Sequence, residues 1–267
     1  MINIEENRKY LFFIGSGRTG STLLGQLINY HPFCLISNES RFLQNCIDNN
    51  ISPDESMRSM IFQAVHEFEK GLEKSSTHGK NIDKYQKDWI DMGDLSNLDQ
   101  FKKKNIKIVG DKKAGGNASV FRKNPNRFCS FIDFLGRDSV YFIQIIRNPI
   151  DSIFSYTKSH GYSVEDAATR VIQDTQSGID ISKIFPNYLM CRYDNLLKNP
   201  GSTLEDIFSF LGETCDKRWL EEISKKISKK SQYRKDEVLD ISSNKSIMDD
   251  IGSIECFNEI LNDREKS

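Results

Sequence analysis

No apolar run in this sequence approaches the roughly 18–20 residues that a membrane span needs, and none of the 267 positions belongs to an internal repeat or a low-complexity tract. An excess of either charge is also missing. The 37 Lys+Arg residues face 38 Asp+Glu, a formal net charge of -1. That balance gives no support for broad nucleic-acid or membrane-surface binding, so any anion site must be local. The six cysteines (34, 46, 129, 191, 215 and 256) form no C-x-x-C pair. The four histidines have no helical pairing, so no zinc signature is present. The opening residues, MINIEENRKY, are polar and lack the charged-then-apolar build of a signal peptide. Scattered thiols without a leader read as a cytoplasmic protein with reduced cysteines.

With 37% hydrophobic and 28% charged residues the chain has the composition of a soluble globular protein. Its length suits a single domain, 1–267, with a mainly helical insertion at about 51–105 and a helical C-terminal region at 213–267. Strand-like runs recur at Tyr10–Gly15, Phe33–Ile36, Ile106–Gly110, Val140–Arg147 and Tyr188–Arg192, with helical patterns between them. This alternation predicts an α/β fold, a central parallel sheet flanked by helices on both faces. Val140–Ile146 is nearly all apolar, as a strand buried on both sides requires. After Ser52-Pro53, a good helix start, Met57, Ile61, Val65 (or Ala64), Phe68 and Leu72 repeat at helical spacing and read as a core-facing stripe. Lys74 to Gly93 reads as a polar loop with a short helix around Tyr85–Met92, and the lysine-rich tail from Ser224 as a solvated face.

The most informative stretch is Tyr10 to Thr22, YLFFIGSGRTGST. A short apolar strand breaks into a loop with glycines at 15, 17 and 20, and a helix opens at Ser21 and Thr22. Glycines let backbone N–H groups turn inward, and a helix start adds partial positive charge, so together they make an anion cradle. The spacing nearly satisfies G-x-x-x-x-G-K-[ST], with Gly15, Gly20 and Thr22 in place. The lysine is missing: Ser21 stands there, and the cation of the loop is Arg18.

Two further clusters sit at predicted strand ends, where ligands bind in such sheets. Arg147-Asn148-Pro149-Ile150-Asp151, with Ser155 two helical turns on, sets a guanidinium fork to grip a phosphate. A purely structural alternative pairs Arg147 with Asp151. Cys191-Arg192-Tyr193-Asp194 ends another strand, followed by a helix with Leu204, Phe208 and Leu211 as core positions and Gly212 as its stop. Tyr193 is equally readable there as a packing residue.

In this order the three clusters resemble the sulfotransferases that depend on 3'-phosphoadenosine-5'-phosphosulfate (PAPS). GRTGSTLL followed by HP resembles that family's 5'-phosphosulfate loop. IIRNPIDSIFS resembles its 3'-phosphate signature, R-x-P-x-D-x-x-x-S. CRYDNLLKNPGSTLEDIFSFLG resembles its RYEDL…P…FLG segment. The resemblance covers residues 9–41, 106–159 and 188–212. It implies a P-loop nucleotide-hydrolase-like sulfotransferase fold, with PAPS as co-substrate and no metal. Arg18, Thr19, Gly20, Ser21 and Thr22 would hold the 5' end, Arg147 and Ser155 the 3'-phosphate, with Tyr193 beside them.

HPFCLISNESR resembles a segment of the tyrosylprotein sulfotransferases and related enzymes in which a glutamate two before an arginine is the base. Here that spacing gives Glu39 and Arg41. VGDKKA resembles the family's G-D-K-[TS]-P segment, which makes Lys112 the cation for the leaving group and Lys113 the second choice. The usual proline is replaced by Ala114, and Gly115-Gly116 follow, which predicts a differently built loop there. His31, in the HP pair, suits a helix end better than a base. Tyr233-Arg234-Lys235 matches the family's basic closing loop by composition only. The acceptor is a small molecule, a glycan or a peptide, with neither nucleic acid nor stable membrane insertion expected. Two other readings stay open: a P-loop ATP-dependent kinase or nucleotidase, for which Asp111 is the only rough magnesium ligand, and a non-catalytic nucleotide-binding protein of the same fold.

Overall fold

The computed structural model describes residues 3–76, 103, 105–227, 241–242 and 244–265. The expected helix around Tyr85–Met92 and the basic Tyr233-Arg234-Lys235 group lie outside these residues, and Leu72 lies outside the described side chains. Among the described residues, five strands form one sheet: β1 Asn3–Ile14, β2 Cys34–Ser37, β3 Asn105–Asp111, β4 Val140–Ile146 and β5 Tyr188–Arg192. Their order is β2-β3-β1-β4-β5, and every pairing is parallel. Parallel neighbours need crossovers, which the intervening helices supply.

β1 is central, and its side chains alternate between two cores. Leu11 and Phe13 face α1 (Ser21–Asn29), α8 (Tyr193–Lys198), α9 (Pro200–Phe210) and α10 (Lys217–Lys226). Phe12 and Ile14 face α2 (Phe42–Ile47), α3 (Pro53–Ser76), α4 (Ala114–Lys123) and α5 (Pro125–Leu135). Helices therefore cover both faces, as the alternation of patterns predicts. β1 starts earlier than its apolar run: the polar residues from Asn3 join β3 through backbone pairing, with a register break between Ile4 and Lys9. Ladder hydrogen bonds need no apolar side chains, so this extension leaves no mark in hydropathy.

α3 begins at Pro53, and Met57, Met60, Ala64 and Phe68 are buried, with Ile61 and Val65 packed at the margin. The helix runs on to Ser76, past the Lys74 at which a loop is expected from sequence. Beyond β4, α6 (Pro149–His160) and α7 (Val164–Ile184) pack with the C-terminal helices Lys245–Gly252 and Glu255–Glu265 around Ile153, Phe154, Val171, Ile251 and Phe257. Gly212, in the left-handed region at φ +71°, stands just past α9 as its expected stop. Among the described residues, no helix is long and apolar enough to cross a membrane.

Candidate functional site

β1 delivers the chain into the glycine loop at the carboxyl edge of the sheet. Three residues there have left-handed backbone, Gly15 at φ +95°, Arg18 at +64° and Gly20 at +94°. Gly20 also has no room for a side chain: a Cβ there would lie 2.3 Å from Cδ2 of Tyr193. Thr19 is buried and closes the turn by donating from Oγ1 to the Ser16 carbonyl at 3.0 Å. Ser21 is buried at the start of α1, whereas Thr22 is exposed. Gly20 stands at the N-cap and offers no side-chain acceptor, so the first N–H groups of α1 are left to whatever the loop receives.

The second cluster arrives at the same loop. α6 starts at Pro149, and the Asn148 side chain accepts from the Ile150 and Asp151 N–H groups as its cap. This fixed start carries Ser155 to the loop, where its Oγ accepts from Arg18 Nε at 2.9 Å. Arg147 Nη1 donates to the Arg18 carbonyl at 3.3 Å. The guanidinium of Arg147 lies 4.9 Å from the centre of the Tyr193 ring and 3.7 Å from the Asp151 carboxylate. Tyr193 thus packs as a core residue and also backs both Gly20 and Arg147. Three segments far apart in sequence meet within one set of contacts.

Glu39 and Lys112 meet next to this loop. The chain after β2 turns sharply, with Glu39 at φ +70° and Arg41 at +61°. Buried Asp111 at the end of β3 holds that turn. Its Oδ1 accepts from the Ser40 N–H at 2.9 Å and its Oδ2 from the Phe42 N–H at 3.0 Å. α3 grips the other side: the Asn38 N–H donates to Glu67 at 2.7 Å, and Gln63 donates to the Asn38 carbonyl at 2.8 Å. Glu39 Oε1 then meets Lys112 Nζ at 2.9 Å and Oε2 meets Lys113 Nζ at 2.5 Å. Arg41 is exposed at the start of α2. Lys112 is almost fully buried, its stem lying against Gly25 of α1.

Burial by itself would raise the Glu39 carboxyl, but the Lys113 hydrogen bond and the charge and hydrogen bond of Lys112 outweigh it, and the group sits at about 2. Burial pushes the Lys112 ammonium down, against the pull of Glu39. Replacing Asp111 with Ala takes the acceptor from two backbone N–H groups, about 1–3 kcal/mol each when buried. Asp111→Ala is expected to lose roughly 2–5 kcal/mol in urea unfolding and to loosen the turn that carries Glu39.

Several residues near the loop have no signal in the sequence patterns. Gln144, the lone polar residue of β4, is buried; it donates to the Thr175 carbonyl at 3.2 Å and fills the space beside Gly15. Asn117 donates to the Phe13 carbonyl at 2.9 Å, just below the loop. Tyr156 lies under Gly17, with the Arg170 guanidinium 5.8 Å from the centre of its ring. His160 feels the charges of Arg18, Glu39 and Lys113, so a histidine does face this region. His31 does not: it stacks on Phe208 at 4.5 Å and contacts the Thr214 carbonyl at 3.1 Å, a packing role at the end of α1. Gly115 and Gly116 are also placed differently from the loop expected there. They form the first turn of α4, Gly116 against the Lys113 stem and Gly115 against Asp174 and Gly17.

Comparisons with known proteins bear on this arrangement. The family model described as "Sulfotransferase family" matches residues 11–217. No curated protein sequence matches the chain. Among solved structures, the sulfotransferase domain from the Synechococcus PCC 7002 olefin synthase is 16% identical, with 91% of this chain and 84% of that chain covered and a TM-score of 0.46. The sulfotransferase domain from the curacin biosynthetic pathway is 12% identical, with 90% and 97% covered and a TM-score of 0.48. Mouse sulfotransferase SULT7A1 complexed with PAP is 13% identical, with 84% and 65% covered and a TM-score of 0.39. The match over residues 11–217 takes in the glycine loop, Glu39, Lys112, Arg147, Ser155 and Tyr193, and by that match the chain belongs to the sulfotransferase family.

Proposed function

We propose that this protein moves a sulfuryl group from PAPS to a hydroxyl or amine acceptor by in-line displacement. The observation that carries the reading is the junction of loop and second motif: Arg18 donates to Ser155 at 2.9 Å while Arg147 donates to the Arg18 carbonyl at 3.3 Å. A donor with two separated anionic ends needs two cation groups in fixed relation, and this junction supplies them. The cradle fits such a group, since Gly20 leaves its backbone bare and Tyr193 fixes its floor. Arg18, Thr19, Gly20, Ser21 and Thr22 are assigned to the 5' end, and Arg147 and Ser155 to the 3'-phosphate, with Tyr193 behind them.

PAPS supplies an activated sulfur and a nucleotide leaving group. Glu39 is the proposed base, taking the acceptor's proton at a carboxylate oxygen. Lys112 is the proposed cation for charge that builds on the bridging oxygen. The two residues touch, so their roles are linked. While both lysines hold Glu39 it is a weak base; when Lys112 turns toward the leaving group, one cation is withdrawn and the carboxylate becomes more basic. Arg41 is assigned to the acceptor side. An ATP-dependent reading is less well supported, because both oxygens of Asp111 already accept backbone N–H groups and the loop has no lysine.

Incubation with sulfur-labelled PAPS and a panel of phenolic, sugar, aliphatic and peptide hydroxyls tests the proposal. Label is expected to appear on at least one acceptor class with chelator present. Binding of the nucleotide without transfer to any class would favour a non-catalytic protein, and phosphoryl transfer from magnesium-ATP would favour a kinase.

A further inference from the structure

Beneath the glycine loop lies a carboxylate that the proposed chemistry does not use. Asp174, on α7, is fully buried. Its Oδ1 takes Arg122 of α4 at 2.7 Å. Its Oδ2 has no hydrogen-bond partner among the described residues; Arg170 Nε stands at 3.7 Å, in ion-pair range only. That unpartnered oxygen faces the loop. One point, where a side chain on Gly115 would begin, lies 2.8 Å from Asp174 Oδ2, 3.6 Å from the Gly17 nitrogen and 3.7 Å from the Tyr156 hydroxyl. The Arg170 guanidinium in turn lies 5.8 Å from the centre of the Tyr156 ring, and the Tyr156 hydroxyl stands against Gly17. The titratable and charged groups facing Asp174 are therefore Arg122 from α4, Tyr156 from α6 and Arg170 from its own helix.

We propose that Asp174 is a positioning residue that couples the anion loop to a proton: it fixes Arg170 and Tyr156 under Ser16 and Gly17 while charged, and it becomes protonated as an anionic nucleotide enters the loop. This rests on the nucleotide reading of the loop given above. The physics is the repulsion of like charges. A carboxylate with an unpaired oxygen, held away from water, is disfavoured further when phosphate charge arrives close by. Burial already pushes the Asp174 carboxyl up to about 6 against the pull of Arg122 and Arg170, so a modest further rise brings it into the neutral range. Taking up a proton leaves both arginines less fully neutralised and strengthens the positive field under the loop.

The test is calorimetric titration with adenosine 3',5'-bisphosphate, the product nucleotide, between pH 5.5 and 8. It is run in buffers of different ionisation enthalpy, on wild type and Asp174→Asn. Wild type is expected to take up about 0.6 of a proton on binding near pH 7 beyond the nucleotide's own titration, and to bind about tenfold more tightly at pH 6 than at pH 8. Asp174→Asn is expected to lose that extra uptake and to keep only the nucleotide's own pH dependence. Equal uptake in the two proteins overturns the proposal. So does a wild type whose uptake the nucleotide alone explains, a result that needs no variant to fold. Tyr156→Phe, which leaves the acid in place, is expected to retain the uptake. No binding by wild type at any pH would overturn the nucleotide reading itself and this inference with it, whereas binding without the extra proton overturns only the role of Asp174.

Discussion

Glu39→Gln is expected to slow sulfuryl transfer by about 10²–10⁴-fold, the usual contribution of a positioned general base, while the product nucleotide still binds. The substitution keeps the shape of the side chain and removes its charge. Lys112 and Lys113 then lose the carboxylate that both now hold at 2.9 Å and 2.5 Å. Freed of that partner, both ammonium groups add positive charge beside the loop, so nucleotide affinity is expected to hold or rise slightly. A fall in turnover with unchanged affinity separates a chemical role from a structural one. The acid side of the pH profile follows from the same contacts. With the carboxyl at about 2, Glu39 is ionised throughout pH 5–8, so protonation of the free base is not expected to limit the rate in that window. Full activity in Glu39→Gln would remove it as the base.

Gly20→Ala is expected to weaken nucleotide binding by about tenfold to a hundredfold, through two independent costs. The backbone at φ +94° suits glycine alone, and holding an L side chain there costs of order 1–3 kcal/mol. The added methyl group would also stand 2.3 Å from the ring of Tyr193, so either the ring or the loop must move. Moving the ring disturbs Arg147, whose guanidinium lies 4.9 Å from its centre. Moving the loop displaces the N–H groups that open α1. Equilibrium titration with the product nucleotide, beside a thermal melt, measures both consequences. Unchanged affinity in a folded variant would show that the anion does not use this turn.

Much of this arrangement is readable in the sequence because its determinants are local. An apolar run followed by three closely spaced glycines specifies a strand, a tight turn and a helix start whatever surrounds it. Arg147 and Ser155 are legible for the same reason: a strand end, a proline and two helical turns fix their spacing. Contacts between distant segments are not written this way. Nothing near Glu39 announces that its carboxylate will meet two lysines at positions 112 and 113. Nothing near Asp111 shows that it will tie down the turn carrying Glu39 rather than face a metal. Gly115-Gly116 reads as a loop because glycine is a poor helix former, yet a first turn packed against Asp174 and the Lys113 stem accepts it. Asp174 carries no mark of its own in the sequence. Only the packing of α4 on α7 buries it.

The loop and Arg147 are proposed to recognise together a nucleotide with phosphates at both its 5' and 3' positions. Calorimetric titration of the wild-type protein with adenosine 3',5'-bisphosphate, adenosine 5'-monophosphate and ATP in the presence of chelator tests it most directly. A charge-assisted contact to a phosphate contributes about 1.5–3 kcal/mol, or roughly ten- to a hundredfold in affinity. The bisphosphate is therefore expected to bind at least about tenfold more tightly than the monophosphate, and more tightly than ATP. Equal affinity for the bisphosphate and the monophosphate, or a preference for ATP, would contradict the account.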